Sequence, residues 1–238
     1  LRLSERKFSI ENIGNDFINS LNSKYIRYRF RKNKFWLNNL YSLFKGFCDR
    51  FFAFLLLIII SPFLLIIAIS IKLNMGGRIF FKQKRPGYLS REFNILKFRT
   101  MEELSPYEGD VNDSKRITTI GNFLRKTSLD ELPELINVIK GEMSFVGPRP
   151  LLPEYLNLYN DQQIIRHNYK PGITGWAQIN GRNAISWEEK FKLDIWYVKN
   201  RSFFLDLKIL FITFFKVLKS SGINSKDGNS VAKFKGNK

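Results

Sequence analysis

One cysteine, Cys48, and one histidine, His167, are present among the 238 residues. A lone cysteine forms no intrachain disulfide and builds no multi-cysteine metal site. The chain therefore reads as reducing or redox-indifferent rather than as a disulfide-stapled secreted domain. Acidic residues are scarce too: 21 Asp and Glu stand against 39 Lys and Arg, a net charge of +18. A surplus of that size favours polyanionic partners, namely nucleic acid, anionic lipid or phosphorylated substrates. A Walker-type glycine loop, a G-x-G-x-x-G fingerprint, an H-E-x-x-H pair and zinc-ligand spacings are all missing from the sequence. Their absence argues against a P-loop ATPase, a Rossmann dehydrogenase and a metalloprotease. No repeat is visible, and the length suits one compact domain, or one domain with a tail.

What is abundant is phenylalanine, 23 residues of a 15% aromatic content, together with one long apolar run. Residues 51–71 (FFAFLLLIIISPFLLIIAISI) hold no charged side chain, and about 20 apolar residues suffice to span a bilayer core as helix. The run is no signal peptide, because it starts far into the chain, lies between basic flanks and lacks a small-residue cleavage site. A buried helix of a soluble core is the alternative. Pro62 removes one helical hydrogen bond and Ser61 can rescue the freed carbonyl, so a kink is expected there. Basic residues crowd both flanks, from Arg27 to Arg50 before the run and from Lys72 to Arg91 after it, so the positive-inside bias does not choose an orientation. A segment that bends at Ser61-Pro62 and returns to the same face satisfies both flanks; an ordinary kinked span remains open. Two later segments have interfacial character. Residues 186–200 open on a Ser186/Glu189 capping box and put Trp187, Phe191, Ile195 and Val198 on one stripe; residues 203–219 are rich in Phe and Leu, with Lys208, Lys216 and Lys219 interspersed. Both suit the headgroup boundary or, alternatively, a protein core.

The organisation expected is a basic arm over residues 1–44, a membrane helix over 45–72, a catalytic domain over 73–222 and a disordered tail over 223–238. The arm alternates cations and aromatics at residues 24–34 (KYIRYRFRKNK), which suits a surface of anionic lipid. Residues 79–82 and 93–98 flank the turn Arg85-Pro86-Gly87-Tyr88 and predict a β-hairpin. A polar loop is expected over 105–114, helices near 123–126, over 132–140 with Gly141 as its stop, and over 154–167, and a turn-rich stretch over 170–182.

One pair of adjacent acids, Asp130-Glu131, stands where Pro133 marks a helix start. Carboxylates beside the positive end of a helix stay ionised, as a nucleophile or metal ligand must. Ser128 to Glu131 is also an S-x-x-E capping box, which on local pattern is the simpler reading. Lys97 lies on the second predicted strand, Arg149 between Pro148 and Pro150, and Arg182 after Gly181. Arginines on a backbone stiffened by proline or glycine are preorganised for bidentate phosphate binding. Acids that hold a divalent cation beside such cations suit a diphosphate substrate. His167 reads as structural or as a phosphate neighbour.

In this order, residues 84–87 (KRPG), 97–101 (KFRTM), 128–133 (SLDELP), 141–150 (GEMSFVGPRP), 166–167 (RH), 170–176 (KPGITGW) and 181–183 (GRN) resemble the monotopic polyprenyl-phosphate phosphoglycosyl transferases, the bacterial sugar transferases. The resemblance spans residues 45–222. It implies an α+β fold, mainly helical, with a re-entrant N-terminal helix broken at Ser61-Pro62, membrane-surface amphipathic helices and a small hairpin. It further implies that Asp130 attacks the sugar-proximal phosphate of a UDP-sugar and expels UMP, and that undecaprenyl phosphate then takes the sugar phosphate from Asp130. Glu131 and Asp130 would hold Mg²⁺, or Glu131 would assist proton movement; Lys97, Arg149 and Arg182 would bind phosphate, and Asp194 and His167 would support them. The partners implied are UDP-sugar, undecaprenyl phosphate, membrane lipid and downstream glycosyltransferases, with no nucleic acid. The place implied is the bacterial inner membrane, with the catalytic domain facing the cytoplasm. Residues 180–187 (NGRNAISW) and 150–156 (PLLPEYL) favour the subgroup that uses a diacetamido-trideoxyhexose such as N,N′-diacetylbacillosamine. Another UDP-sugar, for capsule or O-antigen, is the alternative within the family. Unlike the small members, this chain has Gly46 after Lys45 and a basic arm before it. Outside the family, a membrane-anchored polyanion-binding or scaffold protein would explain charge and anchor, but it leaves the acid pair without a use.

Overall fold

The computed structural model describes residues 40–102, 116–181, 184–218 and 233–237. By its contacts the chain separates into residues 1–45 and residues 46–238. In the first unit the described residues, 40–45, are helical. The rest of the expected basic arm and the polar loop over 105–114 lie outside the described residues.

Helix α1 runs Leu40–Met75 and is the one helix among the described residues long and apolar enough to cross a membrane. It exceeds the expected 45–72 at both ends. Only 11% of its most apolar stretch is buried, whereas the core helix of a soluble protein is mostly buried. Pro62 sits mid-helix without an N–H for the carbonyl of Ile58, four residues back, and Ser61 Oγ donates to that oxygen at 2.8 Å. The serine supplies the bond that the proline deletes. The helix stops at Gly76 and Gly77, both with positive φ.

Strands β1 (Phe80–Pro86) and β2 (Glu92–Phe98) form the predicted antiparallel hairpin, with Pro86 opposite Glu92. Proline is tolerated there because the ladder ends there. Helix α2 (Thr119–Thr127) starts on Thr118, whose side chain accepts from the Gly121 N–H. Helix α3 (Glu134–Lys140) ends, as expected, on Gly141 in the left-handed region. Asn137 of α3 takes the place of a neighbouring strand against β2. Its Oδ1 accepts from Leu96 N at 3.0 Å and its Nδ2 donates to Asn94 O at 2.8 Å. That contact fixes the helix over the strand that carries Lys97.

Strands β3 (Ser144–Val146) and β4 (Gly172–Thr174) pair in parallel, where only turns were expected over 170–182. A short helix, α4 (Trp176–Ile179), follows β4. The helix expected over 154–167 is two 3₁₀ segments, Pro153–Leu158 and Gln163–Asn168. Asn160 divides them, its Oδ1 accepting from the N–H groups of Gln162 and Gln163 at 3.0 and 2.9 Å. A short polar side chain here outcompetes the helical ladder.

Helix α5 (Trp187–Asn200) begins as its capping box foretold, with Ser186 Oγ accepting from Glu189 N. Its apolar stripe faces protein: Phe191, Tyr197 and Val198 are buried. The interfacial reading of this segment is therefore corrected to a core helix. Helix α6 (Phe203–Leu218) behaves differently. Ile209 packs into the core beside Val146, while Phe204, Phe211, Phe214 and Leu218 lie exposed. The tail expected to be disordered is ordered over 233–237. Phe234 is 7% exposed in a cluster with Leu151, Tyr155 and Phe191, and Asn237 Nδ2 donates to Leu158 O at 3.0 Å.

Candidate active site

The acid pair lies on a 3₁₀ turn, Leu129–Glu131, between α2 and α3. Ser128 does not cap it. This serine is left-handed (φ 56°), its N–H closes α2 onto Arg125 O, and its side chain makes no cap bond. The capping-box reading is therefore replaced, because Glu131 is held by cations instead. Glu131 Oε1 lies 2.6 Å from Lys97 Nζ and 2.5 Å from Arg149 Nη2. Lys97 also reaches Glu134 Oε1 at 3.1 Å. Strand β2, the turn before α3, α3 itself and the loop after β3 thus converge on one charge cluster.

The cluster sets the two adjacent acids apart. Burial would raise Glu131, but Arg149 and Lys97 overcome it and hold this carboxyl well below the usual carboxylate range. Asp130 is displaced upward, by burial first and by the Glu131 charge next, against the pull of Lys97, Arg149 and Arg125. Burial, offset in part by Lys97, pushes Glu134 up to about 7. Arg149 is firmly cationic because of Glu131. With 40% of its side chain exposed, it remains open to a ligand. The Asp130 side chain makes no hydrogen bond or ion pair among the described residues, and the residue is partly exposed. One carboxylate is thus immobilised in ion pairs and its neighbour is left available.

Arg149 is supported from behind. Arg166 Nη2 donates to Arg149 O at 2.7 Å, and the same guanidinium binds Asp194 Oδ2 through Nη2 at 2.7 Å and Nε at 3.1 Å. Both partners of that pair are 2% exposed. Asp194 therefore reaches Arg149 through Arg166 and is itself buried. His167 is neutral, since burial and then the Arg166 charge bring it down to about 4. Its Nδ1 lies 3.1 Å from Gly87 O, which pins the tip of the hairpin. Arg182 lies outside the described residues.

Two residues escaped the sequence reading. Glu134 stands three and four positions after Glu131 and Asp130, so helical spacing signals it. Arg85, read as a flank, turn and motif residue without a site role, carries electrostatic interactions with Arg149 and Glu134.

Among the described residues no three His, Cys, Asp or Glu side chains gather to hold a metal. Mg²⁺ habitually takes one or two carboxylates and completes its shell with water and substrate phosphate. Asp130 and the second oxygen of Glu131, which lies 3.5 Å from Arg149 Nη1, would supply such carboxylates, and the pair does not fit a metal cage made by protein alone.

The chain matches the family model described as bacterial sugar transferase over residues 40–220. It is 51% identical over 195 residues to the uncharacterized sugar transferase EpsL of Bacillus subtilis (strain 168), covering 82% of this chain and 96% of that protein. It is 40% identical over 194 residues to the UDP-glucose:undecaprenyl-phosphate glucose-1-phosphate transferase of Escherichia coli (strain K12), covering 76% of this chain and 41% of that protein. The exopolysaccharide production protein ExoY of Rhizobium meliloti (strain 1021) is 39% identical over 192 residues, covering 73% of this chain and 85% of that protein. With the acid pair, its cationic cradle and these matches together, the chain belongs to the bacterial sugar transferase family.

Proposed function

We propose that this protein is a phosphoglycosyl transferase that moves a sugar 1-phosphate from a UDP-sugar to undecaprenyl phosphate and releases UMP. The observation that carries the reading is the division of labour within the acid pair: Glu131 is locked by Lys97 and Arg149, and Asp130 beside it is open. In the first half-reaction an Asp130 carboxylate oxygen bonds to the sugar-proximal phosphorus, and the bond from that phosphorus to the UMP oxygen breaks. In the second, an oxygen of undecaprenyl phosphate bonds to the same phosphorus and the bond to Asp130 breaks. Covalent, ping-pong chemistry suits two substrates of such different solubility. Arg149, Lys97 and Arg182 take the phosphate charge as it develops. Mg²⁺, held by Asp130 and Glu131 together with substrate phosphate, would neutralise charge on the leaving nucleotide.

The related glucose-1-phosphate transferases of Escherichia coli and Klebsiella pneumoniae are named for UDP-glucose. Residues 180–187 point instead to a diacetamido-trideoxyhexose, so both donors belong in any test. A polyanion-binding or scaffold protein has no need of three acids set among its cations.

The seat proposed is the cytoplasmic face of the bacterial inner membrane, with α1 re-entrant. Both arms of α1 dock on the same domain: Asp49 Oδ2 accepts from Ser144 Oγ at 2.7 Å, Ala53 packs on Leu135, Val138 and Met143, and Ile67 and Ile71 pack on Phe98 and Leu124. The exposed apolar face of α6 suits the same surface.

The test is UMP release from a panel of UDP-sugars, glucose and diacetamido donors included, with Mg²⁺ and undecaprenyl phosphate. Wild-type protein is expected to release UMP with one donor. Asp130→Asn is expected to lose roughly 10³-fold or more of turnover while remaining in the membrane fraction. Near-normal turnover by that variant would remove Asp130 as nucleophile, and silence of folded wild-type protein across the panel would remove the transferase.

A further inference from the structure

Arg85 sits on β1, two residues before the hairpin tip, and its surroundings are unlike those of the other cations of the cluster. Lys97 and Arg149 each hold a carboxylate. Arg85 holds none among the described residues. Its one partner is a neutral amide, Gln83 Oε1 at 2.6 Å from Nη2, and its Nε is shut off from solvent without a hydrogen bond.

The fold nevertheless brings this guanidinium to the acid cluster by a fixed route. Two consecutive residues of one 3₁₀ segment hold two backbones. Arg166 donates to Arg149 O at 2.7 Å, and His167 Nδ1 lies 3.1 Å from Gly87 O. The loop that carries Arg149 and the hairpin tip that carries Arg85 are thereby tied to the same short stretch of chain. Arg149 comes near enough to Arg85 to act on it electrostatically, and the repulsion between two such cations is relieved when an anion binds between them. From this juxtaposition we infer that Arg85 is a further phosphate-binding residue, which completes with Arg149 and Lys97 a cradle for a substrate phosphate group.

The charge balance agrees. Burial first and Arg149 next depress Arg85 below an ordinary arginine, with Glu134 compensating in part. An incoming phosphate would reverse that penalty. Arginine rather than lysine suits the position, because a planar fork can bond one phosphate while its Nη2 stays with Gln83. The inference rests on the transferase reading for the identity of the phosphate, which belongs either to the nucleotide-sugar or to the lipid acceptor.

The experiment compares full-length, membrane-reconstituted wild type with Arg85→Lys and Arg85→Gln, using two readouts. The first is binding without chemistry: the rise in melting temperature caused by UDP, UMP and inorganic phosphate, each with Mg²⁺. The second is steady-state kinetics with the accepted donor and undecaprenyl phosphate. Loss of one charge-assisted bond to phosphate predicts about a 10- to 100-fold fall in kcat/KM for Arg85→Gln, with less of the ligand-induced melting shift. Arg85→Lys should recover part of both. A rise confined to the donor KM assigns the nucleotide diphosphate, and a rise confined to the acceptor KM assigns the lipid phosphate. Unchanged melting shifts and a kcat/KM within twofold for both substrates overturn the inference. If wild-type protein turns over no donor, the transferase reading fails while the melting shifts still decide for or against phosphate at Arg85.

Discussion

At the residue scale the acid pair shows how one environment gives two neighbours opposite protonation habits. Asp130 and Glu131 share a turn, yet the cations converge on Glu131 and leave Asp130 to the cost of burial. Two outcomes follow. A nucleophile must be ionised, so kcat/KM for the donor should fall as pH drops through the raised Asp130 value, an acid limb above the ordinary aspartate range of about 3.9. A profile flat down to that ordinary range would contradict the assignment. The same displacement carries a stability sign. Between the ordinary and the raised value the folded protein keeps a proton that the unfolded chain has released. Stability therefore falls as pH rises through that window and stays lower above it. Asp130→Asn should accordingly melt above wild type at neutral pH and lose that advantage in acid, which a thermal unfolding series across pH would measure. Asp130, Glu131, Lys97 and Arg149 stood out through proline and helix-start signals and through motif resemblance, and the structure gathers Glu131, Lys97 and Arg149 into one cluster. Their pairing was not legible, since Lys97 meets Glu131 across 34 positions and no local pattern encodes which carboxylate a distant cation will choose.

At the scale of the element, local rules worked wherever the decisive contact was local. The hairpin, the Ser186 cap and the Gly141 stop lie where propensity puts them. They failed where a strand is three residues long and its partner distant, as for β3 and β4, and where a single asparagine divided a helical pattern. The stripe on α5 and the exposed face of α6 have similar composition, so only the packing of the whole domain separates core from surface. Residues 233–237 carry two lysines and a glycine around Phe234, which reads as disordered until the ring finds Tyr155, Trp187 and Phe191. Phe234→Ala should cost about 3 kcal/mol, seen as a lower melting temperature, and an unchanged melting temperature would deny the tail its place in the core. The close packing of α2 has a sharper consequence. A Cβ at Gly121 would lie 1.9 Å from Thr100 O, a backbone atom that cannot swing aside. Gly121→Ala should destabilise by about 1–3 kcal/mol and, by moving α2, should displace the turn that begins at Ser128. Activity should therefore fall further than the loss of folded protein explains.

For the molecule as a whole, the open matter of the sequence was whether 21 uncharged residues span a bilayer or return. Basic flanks on both sides left the bias undecided, and the packing of both arms of α1 supports the proposed return. Asp49 and Ile71 are 22 positions apart, about 33 Å of helix at 1.5 Å per residue, roughly the thickness of a bilayer core. Helix that long, straight and upright, would carry one of these residues away to the far face. Instead Asp49 is bonded to Ser144 and Ile71 is buried against Phe98 and Leu124, all of one domain. The Ser61–Ile58 bond at Pro62 marks where such a helix would turn. Because Cys48 is the only cysteine, Cys48→Ser gives a clean background for labelling. Phe47→Cys and Leu73→Cys stand on exposed positions before and after the apolar run. In intact cells both should resist a membrane-impermeant thiol reagent, and in inverted vesicles both should react. Adding Pro62→Leu should restore the helical donor, straighten the segment and bring one of the two sites to the outer face. Labelling of one site from outside in the unmodified segment would establish a through-going span and end the re-entrant reading. Identical labelling with and without Pro62 would move the cause of the return from the proline to the docking of both arms on the domain.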